Sequence, residues 1–286
     1  MYTDFDPLIA FSRNLGWLTL EEQKNLMKTR VGIVGMGGVG GQYAEILTRL
    51  GVGHFVIYDG DRFSIENSNR QNECKTSTCG KPKAEVIRDL IKDINPHAQV
   101  ECHSEFLKEE NIQAFCEKID VYIDGIDFFE FNLRTLLFRK MRELKKPAIT
   151  VAPVAAGSAT VVFTKDSMSF DDYFGLHTTD NLIEKSILFL QGLTPFFPQA
   201  SYLVDRSYTR FHEKKVPSLP IGVYAAAAAA SSAFLKIVLN RGPLKVAPWT
   251  IHYDYYTLKY KTKYIWMGHR NPIQRVMHGF LLKRFS

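Results

Sequence analysis

The stretch from Arg30 to Asp61, RVGIVGMGGVGGQYAEILTRLGVGHFVIYDGD, decides the fold. Val31 to Val34 is a short apolar run that predicts a buried strand. It passes into Gly35-Met36-Gly37-Gly38-Val39-Gly40, a G-x-G-x-x-G pattern. From Val39 to Leu50 the apolar residues Val39, Tyr43, Ile46, Leu47 and Leu50 recur at helical spacing, and Gly51 and Gly53 end the run. His54 to Tyr58 predicts a second strand, closing on Asp59. Strand, glycine turn, helix, strand and acid within about 30 residues is the context in which this motif binds a nucleotide. Gly35, Gly37, Gly38 and Gly40 let the backbone turn tightly and approach a phosphate. The helix N-terminus offers that phosphate unpaired N–H groups and a positive dipole end. Asp59, about 20 residues beyond the last glycine of the turn, is placed to accept hydrogen bonds from ribose hydroxyls.

Outward from this unit, the balance of 45% hydrophobic and 23% charged residues is that of a soluble globular protein. The longest apolar run, Ile221 to Phe234, is mostly alanine and is interrupted by two serines, so no spanning helix is expected. The N-terminal MYTDFDPLIAF carries two acids and no basic region, which is not a signal peptide, and a cytoplasmic protein is expected. The net charge of +6 is largely local: from Lys259 onward stand Lys259, Lys261, Lys263, Arg270, Arg275, Lys283 and Arg284, and no acid. Such a tail either touches tRNA or an anionic membrane, or forms a solvated terminal helix. That helix carries Ile273, Val276, Met277, Phe280 and Leu281 on one stripe. Docking on its own domain or on a dimer mate is the plainer expectation. The four cysteines, Cys74, Cys79, Cys102 and Cys116, make no C-x-x-C pair, so neither a structural zinc nor a disulfide scaffold is expected.

Thr19 to Glu22 is a capping-box pattern that opens a helix to about Lys28. After Asp61 comes a polar loop, and Pro82 then opens a helix ending at Asn95-Pro96. Strands are predicted at 98–102, 120–124 and 147–151, and helices at 109–117 and 128–144. Gly157 to Thr164 is β-branched and predicts an antiparallel strand. The fold class that follows is α/β: a Rossmann-like, mostly parallel sheet with helices on both faces and an antiparallel extension toward the C-terminus. Four segments divide one domain. These are an arm and helix at 1–29, a nucleotide-binding core at 30–164, an aromatic, weakly periodic crossover or lid at 165–220, and at 221–286 a helix, aromatic strands and the basic tail.

Three cations follow the glycine turn, Arg70, Lys81 and Lys83, and they suit a triphosphate better than a dinucleotide. Asp127, at a later strand end, can hold Mg²⁺ through one carboxylate, or else cap a helix. Together Gly35 to Gly40, Asp59 and Asp61, Asn67 to Gln71, Gly80-Lys81-Pro82-Lys83, Asn95-Pro96 and Asp124-x-x-Asp127 resemble the adenylating enzymes typified by ThiF and MoeB, which include the ubiquitin-activating enzymes. The resemblance spans nearly the whole chain. It implies ATP and Mg²⁺ as cofactors and attack of a carboxylate on the α-phosphate to give an acyl-adenylate. That carboxylate is typically the C-terminus of a small ubiquitin-like protein or peptide. In this resemblance Asp59 holds the ribose beside Asp61, while Asn67, Arg70 and Lys83 meet the phosphates, Gln71 belongs to the same cofactor site and Asp127 binds the metal. Arg13 reaches the ATP of the partner in a homodimer. Three departures stand out: no zinc-binding cysteine pairs, Phe128 and Asn132 after Asp127 with Arg134 off register, and no cysteine in 165–220. The last implies that chemistry stops at the adenylate. Relatives that dehydrate a modified tRNA base also lack zinc and give the alternative. A nucleotide-binding scaffold without turnover is the non-enzymatic one.

Overall fold

The computed structural model describes residues 4–195 and 197–285. Its strands form one sheet in the order β3-β2-β1-β4-β5-β6-β7-β8. β1 (Arg30–Val34), β2 (His54–Tyr58), β3 (Gln99–His103), β4 (Val121–Asp124) and β5 (Ala148–Val154) run parallel. β6 (Gly157–Phe163), β7 (Trp249–Asp254) and β8 (Lys259–Tyr264) extend the sheet antiparallel. Two helices precede β1, α1 (Pro7–Ala10) and α2 (Leu20–Lys28). The parallel crossovers are α3 (Gly38–Arg49), α4 (Lys83–Ile94), α5 (Ile112–Lys118) and α6 (Phe131–Glu143). Between β6 and β7 lie α7 (Phe170–Phe174), α8 (Leu182–Leu193) and α9 (Pro220–Leu239), and α10 (Pro272–Phe285) follows β8.

Alternation along the strands makes two cores. Val31, Ile33, Val121, Ile123, Ile149 and Val151 face α3, α4 and α9. Tyr122, Ala148, Val161 and Phe163 face α5 to α8. Both faces are buried, as a parallel sheet requires. Helix α9 is long and apolar enough to cross a membrane by length and composition. Ala226, Ala227 and Ala230, all fully buried, instead let it press on α3 and on strands β5 and β6.

The capping box forms as the sequence predicts: Thr19 N donates to Glu22 Oε2 (2.8 Å) and Glu22 N to Thr19 Oγ1 (3.2 Å). The crossover region is more regular than its composition suggests. Helix α8 lies there, opened by Asn181, whose side chain accepts from Glu184 N at 3.0 Å. It is apolar on several sides, because it is covered by both the sheet and α10, and this hides helical periodicity. The helix predicted from Phe128 begins only at Phe131, and that predicted at 109–117 opens as a 3₁₀ turn before α5.

The strand order reverses between β1 and β4, so the crossovers leave on opposite sides and open a crevice at the carboxyl ends of these two strands.

Candidate nucleotide-binding site

Gly35 follows β1 with φ +89°, a left-handed conformation that favours glycine. A Cβ there would stand 2.2 Å from the Gly125 carbonyl oxygen, and a Cβ on Gly40 would stand 1.8 Å from the Gly35 oxygen. The ends of β1 and β4 and the start of α3 therefore touch backbone to backbone. Asp59 fixes this turn from β2: its Oδ2 accepts from Met36 N at 2.6 Å and its Oδ1 from Asp61 N at 2.7 Å. Burial raises the Asp59 carboxyl above its ordinary value, and these two N–H bonds and nearby Lys83 partly oppose the rise. Each oxygen keeps a second lone pair free for a ribose hydroxyl.

The loop after β2 folds over the turn. The Arg70 carbonyl oxygen lies 3.3 Å from where a Gly38 Cβ would be, and Gln71 Nε2 lies 3.6 Å from the same point on Gly37. Gln71 is buried, and its Oε1 has no hydrogen-bond partner among the described residues. Asn67 Oδ1 holds the loop by accepting from Ser64 N (3.1 Å) and Ser64 Oγ (3.2 Å). Arg70 is half-buried and spends one nitrogen on Glu66 O and Asn69 Oδ1. Lys83 opens α4 with its side chain buried and paired to Asp61 Oδ2 at 3.1 Å. On the far wall, Val223 of α9 reaches 3.3 Å from the Gly38 Cβ position.

Two carboxylates end β4 or follow it, with different fates. Asp124 is buried and pairs with Arg134 Nε at 2.7 Å. Thr150 Oγ1 donates to the same Asp124 oxygen at 2.8 Å. Arg134 then donates to the carbonyls of Ile126 (2.7 Å), Asp127 (3.0 Å) and Phe128 (3.2 Å). Those carbonyls are the reason α6 starts late: bonded to Arg134, residues 126–128 stay outside the helix. Asp127 is exposed, and its Oδ1 accepts from Phe129 N at 3.0 Å, an Asx turn outside α6. Its Oδ2 carries no hydrogen bond among the described residues, which fits a Mg²⁺ that takes one protein carboxylate and keeps other ligands from phosphate and water. No group of three or more His, Cys, Asp or Glu is placed to hold a metal among the described residues.

Arg13 is exposed in a 3₁₀ turn, and the structure does not bring it to the crevice of its own chain. The neighbouring Asn14 is tied by Nδ2 to the carbonyls of Arg49 and Leu50, the C-terminal end of α3. A helix of 12 residues is about 18 Å long, so Asn14 is tied about that far along α3 from the glycine turn. Burial pushes the Cys116 thiol up to about 12 and raises Cys102, so neither is an activated nucleophile.

The ThiF family profile matches residues 11–275. The chain belongs to the ThiF family. Among its relatives is the tRNA threonylcarbamoyladenosine dehydratase of Bacillus subtilis, 38% identical over 130 residues, which are 45% of this chain and 51% of that one. Another is the molybdopterin-synthase adenylyltransferase of Haemophilus influenzae, 30% identical over 142 residues, 50% and 58% of the two chains. The chain thus spans about half the length of these curated relatives. Among solved ThiF-like folds, E. coli MccB with MccA-N7isoASN superposes with a TM-score of 0.69 at 17% identity, covering 95% of this chain and 75% of that one. E. coli tRNA N6-threonylcarbamoyladenosine dehydratase, TcdA, gives 0.60 at 20%, covering 82% and 95%.

Within this ThiF-family fold, sequence reasoning missed two features. The Asp124–Arg134 pair was legible only as an arginine off register. The second is a polar knot behind the β5–β6 turn. Asp254 Oδ2 accepts from Tyr202 OH (2.6 Å) and Gln199 Nε2 (2.8 Å), and Ala156 N donates to the same Tyr202 oxygen at 3.1 Å. Burial, then the bond to Asp254, pushes the Tyr202 hydroxyl up to about 12. The knot steadies Ala155, whose carbonyl oxygen lies 2.3 Å from a Cβ placed on Gly222 of α9, near the crevice wall. An alternation of Thr250, His252 and Asp254 on one face of β7 was its only trace in the sequence.

Proposed function

We propose that the crevice binds ATP and that the chain transfers its adenylyl group to a carboxylate. In this reading a carboxylate oxygen attacks the α-phosphorus. The bond from that phosphorus to the bridging oxygen breaks, and pyrophosphate departs with the electron pair. Asp59 accepts from the ribose. The α3 N-terminus, Asn67 and Gln71 bind phosphate, and Arg70 and Lys83 neutralise charge gathering on the pyrophosphate. Asp61 orients Lys83 through their 3.1 Å pair. Mg²⁺ held by Asp127 would add positive charge beside the phosphates. Arg13 completes the site from a second copy in a homodimer. The observation that carries the reading is the loop from Asn67 to Gln71 lying on the glycine turn in a ThiF-family chain.

The substrate we favour is the free C-terminus of a small ubiquitin-like protein or peptide, met in the cytoplasm. With no cysteine in 165–220, the acyl group passes from the adenylate directly to its acceptor. A second reading, dehydration of a tRNA base through an adenylated side-chain carboxylate, is favoured by the 38% identity to the Bacillus subtilis dehydratase. ATP–pyrophosphate exchange, run with Gly-Gly-ending peptides and with threonylcarbamoylated tRNA, tests both. Exchange is expected with one of them, and Lys83→Ala should cut it about 100-fold or more. Exchange with neither, or undiminished exchange in Lys83→Ala, sinks the assignment.

A further inference from the structure

Helix α10 docks on its own domain through its polar side. Buried Gln274 and half-buried His278 face inward, with buried Asn271 just ahead of the helix, while Ile273, Val276, Met277 and Phe280 stay exposed. Of the apolar stripe read from the sequence, Leu281 is half-buried, beside Phe129, Ile187 and Phe211. A helix held by polar groups does not fill the space beneath it. Between α7, α8 and α10 lies a hollow of about 450 Å³. Voids larger than a water are few in protein interiors, and this volume is within the range of small-molecule sites.

Strand register sets the hollow apart from the nucleotide crevice. Val154, at the carboxyl end of β5, pairs with Gly157, Gly157 with Asp254 and Asp254 with Lys259. Strand β8 therefore starts at the crevice end of the sheet and finishes at the other, where Ile265 and Gly268 join the hollow's wall.

The floor is apolar, with Tyr173, Phe174 and Ile265 buried and Leu188 half-buried. Polar groups without partners stand over it. Gln191 Nε2 donates to the Gln274 carbonyl at 2.7 Å. That leaves Gln191 Oε1 and the Gln274 side-chain amide with no hydrogen bond among the described residues, although both residues are only 6% exposed. Buried amides left unpaired are costly, so a polar occupant would relieve a standing penalty. The charges are mostly spent. Glu184 meets His278 Nε2 at 3.3 Å and accepts from Thr179 Oγ1 at 2.6 Å. Asp172 takes up Arg270 at 3.3 Å through its carboxylate and His269 Nδ1 at 2.8 Å through its carbonyl. Arg275, at the exposed mouth, has no ionic or hydrogen-bond partner for its side chain among the described residues.

Water alone would satisfy the amides but wet the apolar floor. One free guanidinium matches one negative charge, a carboxylate rather than a phosphate dianion. We propose that the hollow binds a small monocarboxylate with an apolar body, its carboxylate on Arg275 and the glutamine amides and its body on Phe174 and Leu188. This site does not depend on the adenylating reading.

Calorimetric titration of the full chain with naphthylacetate, and with naphthylethylammonium as its cationic counterpart, tests this. Saturable binding of naphthylacetate is expected with a Kd near or below about 1 mM, and about tenfold or more tighter than the ammonium. Arg275→Gln should weaken it about tenfold. Leu188→Trp, which fills the hollow, should abolish it. Arg275 is exposed and bonded to nothing, so its variant decides the matter if the tryptophan disturbs folding. No saturable binding, equal binding of the two probes, or binding that Arg275→Gln leaves intact overturns the proposal. So does full binding in a folded Leu188→Trp chain.

Discussion

Arg134 shows how one buried charge can shape a binding loop without touching a ligand. Its guanidinium neutralises Asp124 and takes up four carbonyls of the β4–α6 loop, so a buried cation and a tight turn satisfy each other. Removing it would leave Asp124 buried and unpaired and those carbonyls without a donor. Arg134→Ala should therefore lower stability by about 3–5 kcal/mol. Urea unfolding measures this, and a loss below about 1 kcal/mol would mean that water replaces the guanidinium. The sequence shows the residue within an apolar helix, FNLRTLLF, where an arginine at a core-facing position is the available signal. Asp59 was easier to read, because strand end, glycine turn and acid lie in one short unit whose geometry is local. Even so, its two contacts with Met36 N and Asp61 N make it a brace for the turn as well as the proposed ribose acceptor.

At the scale of elements, β7 holds the crossover region down through its buried face. Thr250 Oγ1 donates to Leu193 O at 2.6 Å, and Gln199 Nε2 lies 2.8 Å from His252 Nε2. Burial depresses the His252 ring from 6.5 to about 4. As pH falls, the unfolded chain takes up this proton first. The stability gained by keeping the ring neutral is complete above pH 6.5 and lost between there and about 4, an effect on the order of 3 kcal/mol. Asp254 adds nothing in that window. Burial raises its carboxyl, but bonds from Tyr202, Thr257 and Gln199 outweigh this and hold it below its ordinary 3.8. Urea midpoints at pH 7 and 4.5 should thus fall less in His252→Gln than in the wild-type chain. Equal slopes would place the acid sensitivity elsewhere. None of this was legible beforehand, because partners such as Gln199 and His252 are 53 residues apart.

For the whole molecule, the proposed role of Arg13, which stands by the far end of α3, requires a second copy of the chain. If a homodimer supplies it in trans, mixing inactive Arg13→Ala and Lys83→Ala chains makes hybrids with one intact site. Half the dimers would be hybrids, so about a quarter of wild-type exchange should return. Recovery would be absent if Arg13 acted in its own chain, and Arg13→Ala alone would keep its exchange activity if Arg13 had no role.

The sequence by itself determined the parallel core, the glycine turn and the acid that braces it. Apolar alternation, glycine conformation and a strand-end carboxylate act within a few residues of one another. It also showed the basic tail, as composition. The late start of α6, the polar knot behind β5–β6, the separation of Arg13 from the crevice and the outward face of α10 were decided only by tertiary structure. Each depends on which distant segment occupies the other side of a residue, and local patterning carries no record of that.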